Sequence, residues 1–204
     1  MTAQGSRSAG PGQASTTPEG VKLHVGIAEQ GKLYALQGDH ARALHYYRVA
    51  MRLTVEAGGP EIFFRHYLDC VMESLEHMGA YAEVLAYCDK AIALYDERPP
   101  PNEMAVLDLA TIHLRRGVVL LKSGDKDEAR AACERAVAVC RGARLTMPLA
   151  QTLLRWLRAS FHIDVARVIS EQRRARYFTV RPDTVDPSRA IVLEDAERMF
   201  PGGR

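Results

Sequence analysis

No run of apolar residues reaches the roughly 18 that a helix needs to cross a bilayer, so no membrane span is expected. The opening stretch, MTAQGSRSAGPGQASTTPEG, holds no apolar core of the secretory kind, and a cytoplasmic location is the expectation. Cysteine occurs 4 times in 204 residues, with no CxxC pair and no Cys/His zinc pattern, so neither a metal nor a cofactor is expected. GxSxG, a phosphate-cradling glycine loop and HExxH are all missing, which leaves no catalytic constellation to build an enzyme on. A dominant charge is missing too. With 27 Lys and Arg against 25 Asp and Glu the net charge is +2, which argues against a dedicated nucleic-acid binder.

What the chain does have is apolar content, 47% by residue, and an internal pattern. Gly38 is followed at five, nine and twelve residues by Ala43, Tyr47 and Ala50; Gly79 by Val84, Cys88 and Ala91; Gly124 by Ala129, Cys133 and Ala136. Four residues before each glycine stand Tyr34, Leu75 and Leu120, and seven before stand Gly31, Met72 and Gly117. Three copies of a helix–turn–helix unit at fixed internal spacing predict an all-α fold, an α-solenoid in which stacked units share a core. The turn glycine ends the first helix of each unit, and the small residues let the paired helices approach. Cys88 and Cys133 fill the same slot and read as small buried hydrophobes.

Helices are expected over about 21–36, 40–57, 61–78 and 81–96, then from an Asn102 N-cap, and over about 126–140. The breaks are Gly58-Gly59-Pro60 and Pro99-Pro100-Pro101. Residues 1–20 are expected to be a disordered tail. The repeats cover about 24–57, 65–98 and 110–143, within 21–143. A capping helix within 145–176 carries the stripe Leu149, Leu153, Leu157, Phe161, Val165 and Val168. The tail 177–204 reads as an extended Tyr177–Val180 segment and then a short helix from Asp186-Pro187 through Phe200. It either folds back on the repeats or is captured by another protein.

On Gly31, Tyr34, Gly38, Ala43, Tyr47 and Ala50, on Leu75, Gly79 and Ala91, and on Gly117, Leu120, Gly124, Ala129 and Ala136, the chain resembles the tetratricopeptide repeat family. It departs from that pattern at Met72 and Val84, lacks the tryptophan near the start of each repeat, and has turn glycines 41 and 45 residues apart where the family period is about 34. The resemblance implies a protein that binds other proteins in a concave groove lined by the first helix of each repeat. Carried over by position, the groove presents Lys32 with Val25, Ala28 and Ala35. His66, Asp69, Glu73 and Glu76 follow, then Leu114, Arg115, Val118 and Lys122 with Thr111. Its middle is acidic, its third-repeat end basic, and Leu114 and Val118 offer an apolar anchor. Of the positions that clamp chaperone tails in the family, only Arg115 keeps a cation in its own place, which disfavours that role.

The expected function is therefore an adaptor or scaffold that holds a peptide or helix segment of another protein. The alternative is a structural subunit, self-associating or docked in a larger assembly through its C-terminal helix and tail. A second candidate surface is basic: Arg155, Arg158, Arg173, Arg174 and Arg176 lie in a stretch with nine arginines against Asp164 and Glu171. It has no interleaved aromatics of the kind that stack bases, so it too gives little for nucleic acid.

Overall fold

The computed structural model describes residues 18–159 and 162–194. The expectations for residues 1–17 and 195–204, and Phe161 in the apolar stripe, lie outside them. Among the described residues all regular structure is helical: α1 (Pro18–Leu36), α2 (His40–Glu56), α3 (Glu61–His77), α4 (Tyr81–Glu97), α5 (Glu103–Ser123), α6 (Lys126–Gly142), α7 (Pro148–Arg158) and α8 (Val165–Arg174). Two 3-10 turns follow, Pro182–Thr184 and Pro187–Arg189. Each helix from α1 to α7 packs on the next in sequence, and α8 returns to lie on α5.

The repeated spacing becomes a repeated turn. Gly124 has φ +95°, and behind it the Asp125 N–H donates to Leu120 O at 3.0 Å. The N–H groups of Asp39 and Ala80 make the same bond to Tyr34 O and Leu75 O, each at 2.9 Å, behind Gly38 and Gly79. This closure satisfies carbonyls that the end of a helix leaves without partners. Asp39 and Asp125 then accept from the N–H groups of Arg42 and Glu128, which starts the next helix. Asn102 does the same for α5, accepting from Ala105 N–H at 2.9 Å.

Three core clusters result, each reaching beyond a single helix pair. The first centres on Ile27, Ala28, Tyr46, Ala50 and Tyr67; the second on Tyr47, Cys70, Met72, Val84 and Cys88; the third on Leu114, Val118, Ala129, Cys133 and Leu153. Cys88 and Cys133 are fully buried, and burial pushes their thiols up to about 11 and about 12, as inert core residues require. Gly117 is where α5 and α6 meet most tightly: a Cβ there would lie 2.7 Å from Cys133 Sγ and 3.2 Å from Ala129 O. Met72 takes that slot in the second pair, and α3 packs less closely on α4 than α5 does on α6.

Two expectations need correction. The single helix over 148–174 is two helices. Asp164 is extended and accepts from Arg167 N–H at 2.7 Å, so its side chain caps α8 and breaks a stripe that periodicity alone would carry through. The break lets α8 turn back and bury Val168 and Gln172. The helix expected from Pro187 is at first only a 3-10 turn: Asp186 caps it by accepting from Ser188 N–H, and Ala190 is already extended. At the other end, α1 begins at Pro18, three residues inside the expected disordered tail.

Gly117→Ala should destabilise the fold by about 1–2 kcal/mol in chemical denaturation, because overpacking outweighs the gain in helix propensity. Gly142→Ala, where a Cβ would meet nothing within 4 Å, should be neutral or stabilising. Equal effects of the two would mean that close α5–α6 contact does not set the cost.

Candidate functional site

The candidate face is built from α1, α3 and α5, and the chain's own C-terminal segment lies across it. At the α5 end, Glu76 of α3 is fully enclosed. Its Oε1 accepts from Lys122 Nζ at 2.6 Å and from Gln172 Nε2 at 2.7 Å, and its Oε2 accepts from the Tyr177 hydroxyl at 3.0 Å. In the middle, Glu73 is 3% exposed and takes two successive backbone N–H groups, those of Thr179 and Val180, one on each carboxylate oxygen. At the α1 end, Glu29 accepts from Lys32 Nζ at 2.8 Å and from the backbone N–H of Asp186 at 2.9 Å. The segment then lies on α1 and α2: Ile191 N–H donates to Gly26 O at 3.0 Å, and Leu193 N–H to the Tyr46 hydroxyl at 3.2 Å.

Apolar contact follows the same path. Tyr177 packs on the third core cluster, Val180 on the second, and Ile191 and Leu193 on the first. The Phe178 ring lies 4.6 Å from that of His77, which stacks on His40 at 4.7 Å, and Lys122 Nζ sits 5.9 Å from the Phe178 centroid. Gly26 makes the crossing at α1 possible. A Cβ there would meet the Ile191 side chain at 2.5 Å and Arg189 O at 2.8 Å. That glycine sits inside a helix, where it costs about 1 kcal/mol relative to alanine.

Of the residues predicted for the groove, seven share this face: Lys32, His66, Asp69, Glu73, Glu76, Arg115 and Lys122. Lys32 lies close enough to His66 to depress its ionisation further, after burial, while Asp69 acts the other way. Asp69 pairs with Arg115 at 3.1 Å, and Arg115 in turn favours the charged form of Glu73. Lys122 joins them through Glu76. Leu114 and Val118 do not serve as an open anchor; they are buried in the third core cluster. Sequence reasoning missed Glu29, His40, Gln172 and the tail aromatics as parts of one site. Only Glu29 left a signal, a carboxylate set among apolar residues with a lysine one turn on. The basic residues are exposed, and three are matched by the chain's own acids: Arg158 by Glu134, Arg174 by Glu171 and Arg176 by Asp183. Arg155 bonds to Thr152, and Arg173 is exposed at the end of α8.

Burial lowers the ionisation of His77 from 6.5 to about 4; His40 and Lys122 act in the same direction and Glu76 against it. Between those values the unfolded chain binds the proton more readily, so this contribution to stability is complete above 6.5 and is lost as pH falls. Glu73 has the opposite sign, because burial raises its carboxyl above 4.5 despite the two N–H donors. A His77→Gln variant isolates the first effect: its melting temperature should fall less steeply below 6.5 than that of the wild type. Parallel curves would remove His77 from the acid sensitivity.

Gly26→Ala should speed amide exchange at Ile191 and Leu193 while leaving the α1 amides as protected as before. Unchanged exchange at both positions would show that the close approach does not hold the segment.

No protein-family model, curated protein or solved structure shows a significant match to this chain.

Proposed function

We propose that the chain is a tetratricopeptide-like α-solenoid adaptor, without catalytic activity of its own, that holds a segment of another protein on the face of α1, α3 and α5. The observation that carries this reading is the docked segment itself. A stretch of polypeptide, extended at Arg181 and Asp186 and interrupted by two 3-10 turns, lies across all three helix pairs, held by buried carboxylates through its backbone N–H groups. A surface that already seats one peptide has the shape and the donor–acceptor complement to seat another. On this reading the C-terminal segment occupies the groove at rest, and a partner takes its place.

Against the assembly-subunit reading, the apolar residues Tyr177, Phe178, Val180, Ile191 and Leu193 of the tail pack on the chain's own helices. The arginine stretch, in which Arg158, Arg174, Arg176 and Arg181 pair with internal acids, is read as a solvated helix face.

The test is capture of a partner by the full chain from extract of its own cells, followed by elution with a synthetic peptide of residues 175–194. Groove binding predicts that the peptide releases the partner. It also predicts greater capture by a full-length chain carrying Phe178→Ala and Thr179→Pro, which loosen the resident segment without touching the groove. A partner that resists elution, captured equally by both chains, would place binding elsewhere.

A further inference from the structure

The way the face holds its own segment defines what else it can hold, and this inference rests on the groove reading above. Glu73 receives the backbone N–H groups of two consecutive residues, with the Thr179 side chain as a lesser contribution. Glu29 likewise takes the N–H of Asp186. These contacts read extended backbone and reject proline at three positions, since proline has no N–H to give. Side-chain selection occurs at two places. One is the Phe178 slot, closed by the His77 ring on one side and Lys122 on another. The other is the α1 crossing, where Ile191 rests on a helix that has no Cβ at Gly26.

Charge contributes little to this selection. The face sets Glu29, Asp69, Glu73 and Glu76 against Lys32, Arg115 and Lys122, and these are largely paired with one another. The geometry points to a partner segment that offers consecutive backbone N–H groups, turns twice on the way to α1 as the resident segment does at Pro182–Thr184 and Pro187–Arg189, and carries an aromatic residue at the Phe178 position. Its next two residues are not proline, and an aliphatic residue stands thirteen positions beyond the aromatic, as Ile191 does in the resident segment.

The partner is another protein rather than a second copy of this chain. Gln172 of α8 and Tyr177 of the tail bind the same Glu76 carboxylate. Only Arg173 to Arg176 lie between them, so the start of the tail is tied to its own copy. A foreign segment therefore competes from Phe178 onward while Tyr177 stays anchored.

Fluorescence polarisation with a labelled peptide of residues 175–194 tests this on the full-length chain bearing Phe178→Ala and Thr179→Pro. The peptide should bind that chain at least about tenfold more tightly than it binds the wild type, whose own segment competes. N-methylation at the Thr179 and Val180 positions should weaken binding by about tenfold to a hundredfold, and Phe→Ala at the 178 position by about tenfold. Amide exchange over 177–194 reports whether the resident segment has left. Retention of that segment by the double variant overturns the inference, because the ring and the N–H pair would then not be what the face reads. So does N-methylated peptide that binds as well as the unmodified one, or a dimer in light scattering formed by tail exchange. If the peptide fails to bind a chain whose segment has left, yet the captured partner is still enriched on that chain, this recognition pattern falls and the adaptor reading stands. If enrichment fails as well, both fall.

Discussion

The Glu76 carboxylate is the point on which this molecule turns. It is withdrawn from water and accepts from groups on α5, α8 and the tail at once. Burying a charge is tolerable only when it is paired and its remaining lone pairs are filled. Lys122 supplies the countercharge, and Gln172 and Tyr177 fill the rest. Leaving such a group without one partner costs about 3–5 kcal/mol, so the three contacts support one another. The position of α8 on α5, and with it the start of the tail, follows from satisfying one acid. Val168 of α8, fully buried in the third cluster, adds apolar packing to the same hold.

The carboxylates along the face show why the tail is more than a cover. Glu29, Glu73 and Glu76 are acids in a largely buried setting, and each receives at least one donor from beyond α6. Helices satisfy their own backbone and spare N–H groups only in the first turn, where the caps already use them. An extended segment spares them at every residue that its neighbours leave unpaired. Buried carboxylates and an extended strand are thus complementary in a way that a further helix would not be.

Much of the architecture was legible in the residues, because local rules govern it. The turn glycines, the Asn102 cap and the small residues at helix crossings act over a few positions, and each turned up where it was expected. The α7–α8 break was misread because two local signals conflict there. The apolar stripe continues past residue 158, but Asp164 prefers to cap, and periodicity carries no record of that preference. The face was half legible. Lys32, His66, Asp69, Glu73, Glu76, Arg115 and Lys122 share it because helix position fixes where they point. Leu114 and Val118 were misplaced because the same helix also serves the core beside it. That the tail folds back was one of two expected outcomes, but where it docks was beyond reach, since its partners lie 101 to 165 residues away and no periodic pattern connects them.

That separation has a consequence for the order in which the molecule is made. Helix pairs joined by short turns can form one after another as the chain leaves the ribosome, each on its predecessor. The bond from Asp186 to Glu29 spans 157 residues and cannot form until residue 186 has emerged. During synthesis the first helix pair therefore presents its bonding groups to solvent with nothing yet made to cover them. The newborn protein passes through an interval in which its peptide-holding face is open before it is ever closed.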